Sequence, residues 1–449
     1  MTKTKSKAKR RYTTGEILPD GTLIEALYDP YQRTTMFLVG NEHLQATKSV
    51  VKLPNGTELH PISPENNLIR HGVLLLPSAT KEYGDTDVLL WSIEAYIKRY
   101  CDLPSDFIKT AAAYVMLSWV YDRFSELPYL RLSGTFGTGK TRFLLTVGSV
   151  AYRPIFASGA STISPLFHSL NDYRGTLVMD EADFRFSDEK ADVTKILNNG
   201  NVKGIPILRC TKSKDGEFSP EAFNVFGPKI VATRGQYQDP ALESRFISEA
   251  AFPKTVREGI PVNMPKHHAE DALDLRNQLL LFRFRNWHRT DIKPDAAGGE
   301  LSGRVAQIFR PLLSVIKSSE DRSIVAGYAQ ASLRKVEESR NNRIEVRIAK
   351  ALLTLSKKHP VISLKALNAE LESVFGLSVS NRALGHILRA RLGLQTSKRG
   401  GHYVISNLSK PDLERIAQAM GLSRRAETPE PTRSMPQAPD TSSTSTTCQ

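Results

Sequence analysis

The chain is 449 residues long, 40% hydrophobic and 24% charged, with 61 Lys and Arg against 47 Asp and Glu, a formal charge of +14. This length predicts roughly two to four domains, the longest apolar runs (residues 73–76 and 279–282) are too short for a membrane span, and no signal-peptide core lies near Met1, which predicts a cytoplasmic protein. Cys101, Cys210 and Cys448 have neither metal-ligand nor disulfide spacing, and the basic balance favours a polyanionic partner, most commonly nucleic acid.

Residues 1–11 read as a flexible basic arm carrying Lys3, Lys5, Lys7, Lys9, Arg10 and Arg11. Residues 12–84 alternate strand-like runs at 23–28, 36–39 and 50–53 with the turns Pro19-Asp20-Gly21 and Pro54-Asn55-Gly56, which predicts a small β-rich domain. A linker region at 85–126 holds two helical stretches, 87–100 and 105–124. Asp87 and Asp106 serve there as caps or first-turn acids, and Pro104 and Pro128 mark boundaries. Trp91, Trp119 and Tyr121 fall among apolar residues at helical spacing, which predicts core packing for all three.

The most informative stretch is next. A short apolar strand runs into Gly134, residues 134–141 read G-x-x-x-x-G-K-T, and Phe143, Leu144 and Leu145 open a helix. Strand, glycine-rich loop and helix in this order are what a phosphate-binding loop requires. Gly134, Gly137 and Gly139 free the backbone so that N–H groups converge on phosphate oxygens, and the helix start adds its unpaired donors. The expected nucleotide ligands are Gly134, Thr135, Phe136, Gly137, Thr138, Gly139, Lys140, Thr141 and Arg142. Lys140 reaches the β- and γ-phosphates, and the Thr141 hydroxyl takes Mg²⁺. The expected cofactors are ATP and Mg²⁺.

Residues 154–157 are a second strand and 162–170 a short helix. A third strand at 176–179 ends in Asp180 and Glu181, acids suited to holding the Mg²⁺ hydration shell and to orienting the attacking water. Residues 193–197 form a helix stopped by Asn198-Asn199-Gly200. A hairpin follows, its arms at 205–210 and near 218–226, turning at Asp215-Gly216 with Lys212 and Lys214 near the tip. Residues 229–233 are another buried strand ending in Thr233, and Arg245 lies between apolar neighbours in Ser244-Arg245-Phe246.

These motifs in this order resemble the AAA+ ATPase module. More narrowly they resemble helicase-like ATPases of phages, plasmids and integrated elements, related to the superfamily 3 and minichromosome maintenance helicases. The resemblance covers about 127–250, on to 341 for a helical lid, and the expected domains are a core at 127–255 and a lid region at 256–342. It implies an α/β fold, Thr233 as sensor of the γ-phosphate with Arg234 as the alternative, and Arg245 as a finger inserted into a neighbouring subunit's nucleotide. The catalytic set it implies is Lys140, Asp180, Glu181, Thr233 and Arg245, with Thr141 and Asp180 at the metal. It also implies a homo-oligomeric ring whose hairpins grip single-stranded DNA through Lys212 and Lys214. Residues 180–183 also spell the DEAD-box motif, but the helices after residue 250 leave no place for the second core which that family needs.

Helices are expected at 270–288, 301–316 and 320–338, with His267 and His268 solvated ahead of the first. Residues 343–408 show helices at 344–355, 364–374 and 381–392, then a β-wing at 396–405 turning at Arg399-Gly400-Gly401, a pattern resembling a winged helix. Leu384, Ile387 and Leu388 face inward, while Arg382, His386 and Arg389 share another face and, with Lys398 and Arg399, suit duplex DNA. The bland alternative is a solvated surface on a protein-binding module. Residues 409–449 give a short helix and then a Pro/Ser/Thr-rich tail. The reading is an ATP-driven DNA motor, a replicative helicase or loader of a mobile element. The alternatives are an ATP-switched DNA-binding regulator and a mobile-element defence NTPase.

Overall fold

The computed structural model describes residues 9–43, 45–180, 182, 188–212, 218–237, 239–289, 303–341, 344–405, 408–420 and 422. The chain divides into two units, Met1–Arg334 and Lys335–Gln449.

The first unit opens with β1 (Arg10–Thr13), β2 (Gly15–Ile17), β3 (Leu23–Asp29), β4 (Thr34–Gly40), β5 (Gln45–Lys48), β6 (Val51–Lys52) and β7 (Glu58–Pro61). Strands β2 to β5 form an antiparallel sheet in sequence order, and β1 pairs parallel with β7, which pairs antiparallel with β6. The period of two along a strand divides β3 between two cores. Leu23 and Leu27 pack with the helices that follow, whereas Ile24 and Ala26 pack with Phe37, Tyr129 and Ile155. This sheet therefore shares its cores with the rest of the unit.

The short α1 (Asn67–Arg70) precedes α2 (Thr86–Tyr100) and α3 (Ser105–Trp119). Asp85, not Asp87, caps α2, its carboxylate accepting from the amides of Asp87 and Val88 at 2.9 Å. Helix α3 stops at Trp119, and a 3₁₀ turn over Tyr121–Arg123 completes the stretch expected to be helical to 124. Trp119 and Tyr121 are buried as expected, but Trp91 is 68% exposed. Leu89, Leu90, Ile93 and Ile97 already supply the inward stripe of α2, and Trp91 falls with Val88 on the face left over.

The centre of the unit is a five-stranded parallel sheet built from β8 (Tyr129–Gly134), β9 (Ile155–Ala157), β10 (Leu177–Met179), β13 (Lys229–Thr233) and β14 (Phe246–Ala251), ordered β14-β8-β13-β10-β9. Between them run α4 (Lys140–Val150), α5 (Ile163–Tyr173), α6 (Asp188–Asn199), the antiparallel pair β11 (Ile207–Lys212) and β12 (Phe218–Phe223), and α7 (Pro240–Glu243). Strands β10 and β13 are buried throughout, as expected of parallel strands covered on both faces. Helix α4 lies so close to β10 that a Cβ on Gly148 would meet Val178 Cγ1 at 2.8 Å. The unit continues through α8 (His268–Asn286) and α9 (Gly303–Ser314) and ends within α10 (Ser319–Asn341).

The second unit contains α11 (Ile344–Ser356), α12 (Leu364–Phe375), α13 (Asn381–Ala390), the antiparallel pair β15 (Thr396–Arg399) and β16 (His402–Ile405), and α14 (Lys410–Ala419). Its core gathers Leu352, Leu367, Leu371, Leu384, Leu388 and Ile405. Side-chain caps from Ser363 and Ser380 start α12 and α13.

Candidate nucleotide-binding site

Parallel strands place loops at their carboxyl ends, and ligands of open α/β sheets bind there, at the point where the strand order reverses. Strand β8 lies between β14 and β13, so the loop after Gly134 opens at that edge beside the end of β13, which in turn adjoins β10. Register fixes this: Thr233 lies opposite Ser133, and Val231 opposite Met179.

Gly137 (φ 77°) and Gly139 (φ 82°) adopt the left-handed backbone that the loop needs, and Gly139 stands at the start of α4. Gly134 is required for another reason, since a Cβ there would meet the Ala251 carbonyl at 2.4 Å. Lys140 Nζ donates to the carbonyls of Gly134 and Thr135 at 2.8 and 2.6 Å, which holds the ammonium across the loop. The hydroxyl of Thr138 closes the same loop on Thr135 at 2.9 Å, and Phe136 at its tip is 98% exposed.

Across the strand ends, the Thr141 hydroxyl donates to Asp180 Oδ2 at 2.6 Å. Two residues 39 positions apart thus present a hydroxyl and a carboxylate at one point, a hard oxygen donor set of the kind Mg²⁺ takes. Glu181 lies outside the described residues.

The other expected members sit differently. Thr233 is 1% exposed and its hydroxyl donates to the Gly235 carbonyl at 2.8 Å, so it is spent within its own turn, whereas Arg234 is exposed. Arg245 is occupied in its own chain. Its guanidinium donates to Asn201 Oδ1 at 2.9 Å, Asn198 Oδ1 at 2.7 Å and the Ala241 carbonyl at 2.9 Å. The turn carrying it is anchored by a pair that sequence reading missed: buried Arg131 on β8 grips Glu243 with both terminal nitrogens and donates from Nε to Ser248 Oγ at 3.0 Å. A lone arginine inside an apolar strand was the available signal, but its partner lies 112 positions away. Arg142 does not turn toward the loop. It donates to the carbonyls of Pro261 and Val262, each at 2.5 Å.

Beside the loop opens a cavity of about 580 Å³. Its walls come from Gly137 and Gly139, the α2–α3 junction with Tyr100 and Cys101, and residues following β14, including Phe252 and Val256. Burial pushes the Cys101 thiol up to about 11, so it is an inert wall residue at neutral pH. Behind that wall, His268 is half-buried rather than solvated. Its Nε2 lies 2.7 Å from Tyr96 Oη, and burial lowers its pKa. Among the described residues no cluster of His, Cys, Asp and Glu could hold a metal ion without help from other donors.

No protein-family model matches the sequence, and no curated protein does. Among solved structures, the chain is similar to the apo C-terminal region of NrS-1, at 11% identity over 85% of this chain and 96% of that one, with a TM-score of 0.34. It is also similar to a full-length MCM homolog from Methanopyrus kandleri, at 13% identity over 66% of this chain and 68% of that one, TM-score 0.35. A third is the SCCmec type IV Cch active helicase, at 12% identity over 91% of this chain and 97% of that one, TM-score 0.32.

The expected nucleic-acid residues belong to other elements of the chain. Strands β11 and β12 pair from Ile207 opposite Phe223 to Lys212 opposite Phe218. The pair is rooted where Phe223 meets Phe167 and His168 of α5, and Arg209 lies 4.5 Å from the Phe167 ring centroid. Lys212 ends β11, and Lys214 lies outside the described residues. In the second unit Leu384, Ile387 and Leu388 are buried while Arg382, His386, Arg389, Lys398 and Arg399 are exposed. Arg389 also donates to Thr396 Oγ1 at 2.8 Å, tying α13 to β15. Among the described residues no helix is long and apolar enough to cross a membrane.

Proposed function

We propose that the chain is a Mg²⁺- and ATP-dependent motor acting on DNA, a replicative helicase or helicase loader of a mobile genetic element. The observation that carries this reading is the contact of Thr141 Oγ1 with Asp180 Oδ2 at 2.6 Å, beside a glycine loop closed by Lys140. Lys140 binds the β- and γ-phosphates, and the amides of the loop and the α4 N-terminus receive the remaining phosphate oxygens. Thr141 and Asp180 would hold Mg²⁺, which neutralises charge on the phosphates. Glu181, next along the chain, orients and polarises the attacking water. The purine sits in the cavity beside Tyr100 and Phe252, where its faces meet apolar walls.

Energy from this site would act on DNA at two places: single strands at the β11–β12 hairpin through Lys212 and Lys214, and duplex at α13 and the β15–β16 wing through Arg382, His386, Arg389, Lys398 and Arg399. Subunits would form a homo-oligomeric ring, with Arg245 or Arg234 reaching a neighbour's nucleotide. The experiment is ATP turnover and strand separation with and without single-stranded DNA. A motor turns over faster with DNA, unwinds a forked duplex, and loses both activities in Lys140→Ala. The second reading, an ATP-switched DNA-binding regulator, is favoured by the cis engagement of Arg245, and slow turnover indifferent to DNA would establish it.

A further inference from the structure

Between β14 and α8 the chain runs without regular secondary structure, and most of residues 252–266 are exposed. Yet this strap is pinned at two places. Near its start, both carboxylate oxygens of Asp102 are engaged, Oδ1 by Lys254 Nζ at 3.1 Å and Oδ2 by the Arg257 amide at 3.0 Å. Arg257 adds a bond from its guanidinium to the Lys98 carbonyl at 2.6 Å. Near its end, both terminal nitrogens of Arg142 hold the consecutive carbonyls of Pro261 and Val262. Between the two pins lies Gly259 at φ 88°, a left-handed position where the strap can bend.

Both pins border the cavity. Asp102 belongs to the α2–α3 junction that forms one wall, and Arg142 is two residues beyond Lys140 on the phosphate-binding helix. Along its length the strap carries Phe252, Val256 and Val262, which line the cavity while 74%, 58% and 89% exposed. An apolar outer wall that retains so much water contact gains most when a flat apolar group is laid against it.

The geometry points to the strap as a latch over the nucleotide's base, with Asp102 and Arg142 as positioning residues that control how long nucleotide is retained. This rests on the nucleotide reading above and adds the base-end closure. Because Arg142 shares the first turn of α4 with Thr141, the latch is fastened to the element that meets the phosphates. A guanidinium suits the task, since its planar fork satisfies two neighbouring carbonyls at once where an ammonium holds a single point.

The test compares a ligand that has a base with one that has none. ADP and inorganic tripolyphosphate are titrated by calorimetry into the full chain and into Asp102→Asn, Arg142→Lys and Lys254→Ala, and ADP release is followed by stopped flow. Removing a charge-assisted hydrogen bond should weaken ADP by about tenfold, through faster release, while tripolyphosphate affinity stays at the parent value in all three. Lys254 is exposed, so its variant reports even where Asp102→Asn folds poorly; matched melting midpoints separate the latch from general loosening. Equal weakening of both ligands would place Arg142 on the phosphates, and unchanged ADP release would reduce the strap to a surface loop; either result overturns the latch. A parent chain that binds tripolyphosphate but no ADP sinks the latch alone. One that binds neither sinks the nucleotide reading beneath it.

Discussion

The ammonium of Lys229 lies 4.9 Å from the centre of the Tyr129 ring, in a fully buried cage. Its three acceptors are backbone carbonyls, Val225 and Gly227 at 2.9 Å and Gly200 at 3.2 Å, and among the described residues no carboxylate joins them. Gly200 precedes the β11–β12 hairpin and Val225 and Gly227 follow it, so one ammonium ties together both roots of that hairpin.

A pH dependence follows from this cage. Burial lowers the Lys229 pKa from an ordinary 10.5 to about 7. The unfolded chain keeps this proton up to the ordinary value while the folded chain releases it near 7. Between those limits the unfolded state binds more protons, so this group makes stability rise with pH. Urea unfolding at steps from about pH 7 to about pH 10 should show the parent gaining on Lys229→Met across that window, with a constant offset below it. Parallel profiles would mean that the ammonium is not titrating in the cage.

Glu25 is the second buried charge with a measurable consequence. Its carboxylate on β3 accepts from Arg153 Nη2 and Arg283 Nε, both at 2.7 Å, and from Tyr152 Oη at 2.9 Å. Arg283 reaches on to Asp122 Oδ2 at 2.6 Å, and Arg153 to Thr14 Oγ1 at 2.9 Å. Burial pushes the Asp122 carboxyl up, but Arg283 outweighs it and holds the pKa below the ordinary value. Glu25→Gln keeps the shape and removes the charge, leaving two buried guanidinium groups short of a partner. The cost should be about 3–5 kcal/mol, a fall of roughly 5–10 °C in the melting midpoint for a unit of this size. A midpoint within a degree of the parent would show that water or a neighbouring group compensates.

These two networks also mark what was legible in the sequence. The loop at Gly134 to Thr141 could be read because its chemistry is local: the glycines, Lys140 and Thr141 occupy fixed spacings within one turn. Buried strands such as 229–233 were legible from a short apolar run, here Ile230-Val231-Ala232, and the inward face of α13 from its helical period. Trp91 departs from expectation because α2 is apolar on more than one face, and composition does not say which face finds a partner. The bonds from Glu25 to Arg283, Arg131 to Glu243 and Arg142 to Pro261 join residues more than a hundred positions apart. In sequence Glu25, Glu243 and Arg283 look like ordinary surface charges and the Pro261 carbonyl gives no signal at all, and only the closed chain brings each to its partner.

Arg245 offers a choice between two roles that one pair of variants separates. If the guanidinium acts on a neighbour's γ-phosphate, Arg245→Ala should bind ATP normally and turn it over on the order of 10³-fold more slowly. Asn198→Ala only loosens the cis bond at 2.7 Å, and should leave turnover at or above the parent rate. Mixing Arg245→Ala with Glu181→Gln subunits should then restore some activity, because a mixed interface carries one intact set. If the cis bracket is the whole role, both variants lose stability together and neither selectively loses turnover.

The hairpin separates motor from switch. Strands β11 and β12 bring Lys212 to the end of the arm, with Lys214 two residues farther along, while the Lys229 cage and Phe223 fix the roots. A lysine ammonium suits tracking along a strand, since it attracts any phosphate, ignores the base and releases readily. The phosphate loop follows β8 of the parallel sheet, which β11 and β12 do not join, so Lys212→Ala with Lys214→Ala should leave nucleotide affinity and DNA-free turnover at parent values. Stimulation by single-stranded DNA and unwinding of a fork should disappear together, because both need the grip. The salt dependence of single-strand binding should flatten as well, by about 0.7 in the logarithmic slope for each phosphate that no longer meets a lysine. A double variant that unwinds as well as the parent removes the hairpin from the DNA path. In that case the motor grips its single strand elsewhere, whereas a parent that neither unwinds a fork nor turns over faster with DNA leaves ATP as a switch on a DNA-binding regulator.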